Sequence, residues 1–317
     1  MKYEAFNETN FNFKGQTAFM KGKVRDVYEI GEENILFVVS DRISAFDHVL
    51  PRPIPYKGEI LNLIAAKALK MTEDIVPNWL EQVPDPAVSY GKKCKPFPVE
   101  MVIRGYLVGH AWREYKSGKR SICGIPMPEG MVENQKFTQA ILTPTSKAVD
   151  GHDEDLSREQ ILESGLVSEK HYTQLEEITT KLFERGTEIA AKQGLILVDT
   201  KYEFGLYNDE VYLIDEVHTP DSSRYFYSKG YEENFAQGLK QKQLSKEFIR
   251  EWLMEQNFQG REGDVMPDFT DDVVEMVMNR YIELYEKVTA EKFVFSDRKD
   301  VLKRIETNVN QVIEKYI

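Results

Sequence analysis

Residues 195–226 read LILVDTKYEFGLYNDEVYLIDEVHTPDSSRYF, and how this stretch pairs with itself decides the fold. Residues 195–206 begin apolar and β-branched, a strand signature, before charge appears. Tyr207, Asn208, Asp209 and Glu210 supply turn chemistry, and residues 211–217 return as a strand carrying Asp215. Lys201 and Glu203 are two apart, so the pleat points both to one face. Register then sets the chemistry. A three-residue loop, 208–210, puts Glu203 opposite Asp215; a two-residue loop puts Asp215 opposite Tyr202; a bulge at Gly205 could absorb a one-residue slip. Two facing carboxylates repel unless a cation lies between them. Magnesium, held by one or two carboxylates and the phosphates of a nucleotide, would meet that need, with Lys201 beside a phosphate oxygen. A solvated hairpin face of mixed charge explains the same spacing. The stretch nominates a site and leaves both readings standing.

Composition narrows the class. A chain of 317 residues can bury a substantial core and points to two lobes. A net charge of -12 argues against a broad nucleic-acid footprint, so any anionic ligand must be met by local basic clusters. The two cysteines, Cys94 and Cys123, make no disulfide framework, and the start MKYEAFNETN lacks the basic and apolar regions of a signal peptide. No apolar run approaches the ~18 residues of a membrane span. The expectation is a soluble, cytoplasmic protein of a reducing compartment.

Strand signals dominate the first third: residues 23–30 and 34–40 form a hairpin around Gly31-Glu32-Glu33, and 99–104 is another short strand. Residues 59–69 have helical spacing. The segment 83–98 is rich in proline and glycine and reads as a connection between lobes, with the boundary at 98/99. Later, 173–193 is a helix stopping at Gly194, and 245–256, 271–291 and 296–316 are further amphipathic helices, with Asp271 and Ser296 near their N-caps. The expected architecture is mixed α/β, with a β-rich N-terminal lobe (1–98) and a larger α/β lobe (99–317). The larger lobe includes a helical extension from about residue 257.

Four further segments could carry chemistry. In Lys21-Gly22-Lys23-Val24-Arg25, glycine lets the backbone approach a phosphate, and Lys23 and Arg25 share a strand face; a basic edge strand fits as well. Ser40-Asp41-Arg42-Ile43-Ser44-Ala45-Phe46-Asp47 concentrates acids, hydroxyls and an arginine beside one aromatic, or is a turn held by its own side chains. Arg104 closes a strand in VIRGYLVGHAW and could hold an anion, or belong to a surface ion pair with His110 partly buried. The loop TPTSK leads Lys147 toward Gly151-His152-Asp153, where His152 has no second histidine at metal spacing.

In combination, GKVRDVYE, SDRISAFD, VIRGYLVGHAWREY, TPTSKAVDGHDE, LVDTKYEFG, IDEVHTPDSSRYF and QKQLSKEFIREWL occur in the order found in the phosphoribosylaminoimidazole-succinocarboxamide synthase (SAICAR synthetase) family. The chain resembles that family from about Lys21 to Leu253, in its longer form with a helical tail. The resemblance implies an ATP-dependent ligase of purine biosynthesis that joins L-aspartate to carboxyaminoimidazole ribonucleotide (CAIR). It implies a small β-rich lobe, similar in outline to a kinase N-lobe, over a larger α/β lobe with ATP between them. Lys23 and Arg25 would approach the ATP phosphates, Glu100 would lie at the adenine hinge, and Lys147 and Lys201 would also serve the nucleotide. Glu203 and Asp215 would hold magnesium. Arg104, His110, Lys246 and Arg250 would grip the ribonucleotide 5′-phosphate, and Asp221 with Arg224 would face the imidazole and its carboxylate. His110 stands where much of the family has serine, though a histidine also donates a hydrogen bond. The aspartate pocket is unassigned; the segment with Ser44 is the candidate. The partners implied are small molecules, not nucleic acid or membrane, acting on a monomer or homodimer.

The inventory suits the chemistry. Converting a carboxylate to an acyl phosphate needs positioning and charge neutralisation more than a protein nucleophile. A small-molecule kinase would use similar parts, but no HRD-type or DFG-type segment is present. A nucleotide-binding regulator would have no need of the whole Lys201, Glu203 and Asp215 set.

Overall fold

The computed structural model describes residues 3–46, 48–147 and 154–316, so Asp47, Gly151, His152 and Asp153 lie outside the described residues. The chain divides into two compact units. One comprises Met1–Lys70, Trp79–Lys93 and Lys246–Ile317; the other comprises Met71–Asn78 and Cys94–Ser245.

The first unit is built on a five-stranded antiparallel sheet in the order Gln16–Lys21, Arg25–Ile30, Asn34–Val39, Val88–Lys92, Leu80–Asp85. Strand Arg25–Ile30 shows the alternation that a half-buried strand requires: Asp26, Tyr28 and Ile30 point inward while Arg25, Val27 and Glu29 are half-buried. The inner face packs against the C-terminal helix Val301–Tyr316, whose Val301, Ile305, Val309, Val312 and Ile313 join Phe6, Phe11, Phe13, Tyr28, Leu36 and Tyr90 in one core. Five aliphatic side chains at helical spacing contribute on the order of 10 kcal/mol by burial. The tail, expected to extend the larger lobe, therefore belongs with the N-terminal sheet.

Two expectations about this unit need correction. Residues 83–98 are not a connection: Leu80–Asp85 and Val88–Lys92 are paired strands. Pro84 is tolerated because Leu80–Asp85 is an edge strand with an irregular register between Gln82 and Asp85. The last helix begins at Val301, not Ser296, and Thr270 caps the helix Asp271–Thr289 by accepting from the Val273 amide.

The second unit carries a seven-stranded sheet with the central order Lys136–Leu142, Lys95–Tyr106, Leu195–Tyr207, Ser223–Tyr227, Gln243–Leu244. Thr145–Ser146 pairs with Lys95–Tyr106, and Glu210–Ile214 pairs with Leu195–Tyr207. Helix Glu169–Lys192 starts ahead of the expected residue 173 because Ser168 accepts the His171 amide as N-cap, and the chain leaves it through Gly194 at φ +69°. The helix lies against the sheet segment, where Gly186 makes room for the His218 ring: a Cβ there would stand 2.5 Å from its Cε1. Among the described residues no helix is long and apolar enough to cross a membrane.

Candidate active site

In the second unit, three adjacent strands present charged side chains to one face. Strand Leu195–Tyr207 carries Asp199, Lys201 and Glu203 at alternate positions. Strand Lys95–Tyr106 sets Arg104 opposite Asp199 and Glu100 opposite Glu203, and strand Ser223–Tyr227 sets Arg224 opposite Asp199. Period two puts all six on one side of the pleat.

At one end of this stripe the facing carboxylates of Glu100 and Glu203 are bridged by Lys201, whose Nζ lies 2.5 Å from Glu100 Oε1 and 3.1 Å from Glu203 Oε1. Lys147 donates to the other oxygen of Glu203. Burial opposes ionisation of Glu203, but Lys201 and Lys147 outweigh it and hold its pKa at about 2. Burial likewise opposes the Lys201 charge, yet Glu203, Glu100 and the nearby Asp215 together raise its pKa. Glu100, Glu203 and Asp215 outnumber Lys147 and Lys201, so this end suits a cation bound with phosphates.

The other end has the opposite balance. Asp199 Oδ2 accepts from Arg104 Nη1 at 3.2 Å and from Arg224 Nη1 at 2.8 Å, and Arg104 Nε donates to Thr143 Oγ1 at 2.9 Å. Arg104 is only 7% exposed, and burial lowers its pKa while Asp199 opposes that shift; a guanidinium stays charged regardless. Two arginines sharing one carboxylate leave donors for an anionic ligand. Gly109, at φ +55°, permits this arrangement, since a Cβ there would stand 2.5 Å from Arg224 Nη1. His110, next along helix Gly109–Lys116, has Nε2 2.7 Å from Asp155 Oδ2, and that contact holds the Asp155 carboxyl below its usual range. Asp221 lies in the turn before strand Ser223–Tyr227, its amide 3.3 Å from Thr219 Oγ1.

The first unit holds the remaining expected residues. Lys23 is in the turn before strand Arg25–Ile30, so it does not share a strand face with Arg25 as expected. Its carbonyl accepts from Arg42 Nε at 2.9 Å, and the Arg25 guanidinium is 6.0 Å from the Phe37 ring centre. Lys246 Nζ lies 3.4 Å from Ser44 Oγ, while Arg250 pairs with Glu247 at 3.0 Å within helix Glu247–Glu255.

The hairpin register is the two-residue alternative. Tyr207 pairs with Glu210 and Glu203 with Ile214, because Asn208 (φ 51°) and Asp209 (φ 62°) both take left-handed conformations and close a tight turn. The ladder ends at Ile214 and Asp215 follows at φ 62°. The carboxylate directly opposite Glu203 is thus Glu100, not Asp215, and the cation between the facing pair is Lys201. The irregularity at Gly205 does occur, but against strand Lys95–Tyr106, where a Cβ would meet the Lys95 carbonyl oxygen at 2.9 Å. Asp199 was missed, although it lies two residues before Lys201 on the same alternation; Asp155, the partner of His110, carries no such signal.

Residues 18–265 match the SAICAR synthetase family. The chain belongs to that family. It is 58% identical over 313 residues to the phosphoribosylaminoimidazole-succinocarboxamide synthase of Bacteroides fragilis, covering 98% of this chain and 100% of that protein. It is 60% identical over 305 residues to the enzyme of that name from Cytophaga hutchinsonii, covering 96% and 98%. The SAICAR synthase structure from Saccharomyces cerevisiae, solved in complex with SAICAR, superposes with a TM-score of 0.76 at 32% identity, covering 90% of this chain and 99% of that one. SAICAR synthetase from Pyrococcus horikoshii shares the fold, with a TM-score of 0.64 at 22% identity, covering 86% and 100%. Membership makes the chain an ATP-dependent, amide-forming ligase of purine biosynthesis.

Proposed function

We infer that the chain condenses CAIR with L-aspartate, consuming ATP and releasing SAICAR, ADP and phosphate, by way of an acyl phosphate. The observation that carries this reading is the charged stripe of the second unit. A lysine–carboxylate end suited to a nucleotide runs, along one strand, into an arginine end suited to an anionic second substrate.

A carboxylate is a poor acyl donor because oxide is not a viable leaving group. One carboxylate oxygen of the ribonucleotide attacks the γ-phosphorus of ATP, and the bond to the ADP oxygen breaks. The amine of aspartate then attacks the acyl carbon, phosphate leaves, and the amine gives up a proton. Neither step needs a protein nucleophile; both need charged groups held in place. Lys147 and Lys201 are assigned to the ATP phosphates, with Lys23 and Arg25 of the first unit, and Glu100 to the nucleotide. Arg104, Arg224 and Asp221 are assigned to the ribonucleotide, together with His110, Lys246 and Arg250, and Ser44 to the aspartate pocket.

Glu203 and Asp215 offer the hard oxygens that magnesium prefers. Among the described residues no group of three or more His, Cys, Asp or Glu side chains is placed to hold a metal, and the register does not set Asp215 opposite Glu203; the assignment of these two carboxylates to an ion that would complete its shell with phosphate and water rests on the family resemblance. When bound, magnesium neutralises charge on the transferring phosphoryl group. The substrates are small and anionic, and the reading places the enzyme with them in the cytoplasm.

The test is a coupled assay of ADP release with CAIR, with and without L-aspartate. Sustained ADP release that requires aspartate and yields SAICAR in equal amount supports the ligase. Sustained release without aspartate, leaving a stable phosphorylated product, would make the chain a kinase.

A further inference from the structure

The first unit contains a run of buried charge to which the steps above assign no role. The carboxylate of Asp41 accepts from the Phe6 amide at 3.1 Å, the Gly58 amide at 3.1 Å and Arg298 Nη2. Arg298 comes from the stretch before the last helix, well past residue 265, where the family match ends. Its Nη1 lies 2.8 Å from Glu59 Oε1 and its Nε donates to the Glu4 carbonyl at 2.9 Å. Asp41, Glu59 and Arg298 are all nearly inaccessible to water, so none is solvated if its partner is lost.

The residue after Asp41 faces a different element. Arg42 Nη2 donates to the Gly22 carbonyl at 2.9 Å and to Asp26 Oδ1 at 2.7 Å, its Nε donates to the Lys23 carbonyl at 2.9 Å, and its Nη1 donates to the Asn7 carbonyl. On the other side of Asp41, the Ser40 amide and hydroxyl both donate to the Val24 carbonyl, at 3.0 and 2.8 Å. Three successive carbonyls of the 22–24 turn are therefore held by residues 40 and 42, on either side of the carboxylate that Arg298 holds. Gly22 is part of the fit, since a Cβ there would stand 2.8 Å from the Arg25 carbonyl oxygen. The N-terminal arm ties the two ends together: Glu4 bonds Arg298, Phe6 bonds Asp41, Asn7 bonds Arg42 and Thr9 bonds Asp26.

We propose that Arg298, in the tail beyond the matched family segment, is a positioning residue for the 22–24 turn: it fixes Asp41, and the adjoining Arg42 holds the carbonyls of Gly22 and Lys23 so that Lys23 is presented to the nucleotide. The last clause rests on the assignment of Lys23 to the ATP phosphates. A guanidinium is required at both places. Each makes several directed bonds in fixed geometry, which a lysine cannot reproduce.

The full-length chain is compared with Arg298→Met/Asp41→Asn, which removes both charges of the pair together, and with Arg42→Lys, which keeps the charge beside Asp26 but not the paired carbonyl contacts. Amide hydrogen exchange of the peptide spanning 22–25 reads the order of the turn, and calorimetric binding of ADP with magnesium reads its consequence, both well below the melting temperature. The expected result is faster exchange in that peptide and ADP binding weakened about fivefold or more in both folded variants, with an unchanged Michaelis constant for the ribonucleotide. If the double variant does not fold, Arg298→Lys, which keeps the charge beside Asp41 and Glu59 but not the three directed bonds, carries the comparison. Wild-type exchange in the 22–25 peptide of a folded variant overturns the proposal. Faster exchange with unaltered ADP binding upholds the role in the turn but overturns the assignment of Lys23. If the wild-type chain binds no ADP, the nucleotide reading itself fails.

Discussion

Glu100 and Glu203 stand directly opposite each other on adjacent antiparallel strands, and Lys201 lies between them, 2.5 Å from one carboxylate and 3.1 Å from the other. Like charges facing across a ladder destabilise it, so the lysine has a structural task before any ligand arrives. A phosphate that recruits Lys201 must weaken this bridge, and a cation that approaches Glu203 replaces some of what the lysine supplied. On the proposed assignment, the same side chains would serve both the strand pairing and the nucleotide.

Lys201→Met leaves two nearly buried carboxylates facing each other. We expect a loss of roughly 3 kcal/mol in urea unfolding, as for removing one partner of a buried pair. Adding Glu100→Gln should restore much of that loss without restoring activity. An unchanged unfolding midpoint in the single variant would show that the bridge contributes nothing.

At the arginine end, Arg104→Ala should raise the apparent Michaelis constant for the ribonucleotide much more than that for ATP. Equal effects on both would place Arg104 elsewhere.

Gly109→Ala tests the same end by geometry. It forces a side chain at φ +55° and into the Arg224 guanidinium. The variant should lose about 1 kcal/mol of stability or more and show a raised Michaelis constant for the ribonucleotide. Unaltered steady-state constants would mean that the position of Arg224 does not matter to turnover.

His218 makes the unit sensitive to acid. It is fully enclosed beside Tyr202, whose hydroxyl is 2.6 Å from Nε2, and burial lowers its pKa from 6.5 to about 4. The unfolded chain takes up the proton first, so the stabilising contribution of neutral His218 is complete above pH 6.5. It is lost as pH falls toward 4, amounting to about 3 kcal/mol. Unfolding free energies measured from pH 7 to pH 4 should show this decline, and His218→Gln should flatten it. An identical slope in that variant would assign the acid sensitivity to other groups.

The hairpin of residues 195–226 was legible as two strands and a turn because its apolar start and its Asn-Asp turn are local signals. Its register was decided by Asn208 and Asp209 both taking positive φ, which the sequence permits but does not require. The facing partner of Glu203 came from strand Lys95–Tyr106, a pairing across more than a hundred residues that no local spacing encodes. Helix Val301–Tyr316 shows the same division: its apolar spacing says that it packs, but not that it packs on the N-terminal sheet. Asp199 was within reach of the alternation already noted for Lys201 and Glu203. Asp41 and Arg298 were not, since their pairing joins positions near opposite ends of the chain.

If the lysine–carboxylate end of the stripe serves phosphoryl transfer, the turnover number must fall in Glu203→Gln and in Asp215→Asn at saturating ATP and magnesium. With the fold verified by thermal melting, the account predicts turnover lower by about a hundredfold or more in each, because a neutral amide is a poor magnesium ligand and leaves the lysines without their counter-charge. Near-normal turnover in both would contradict it.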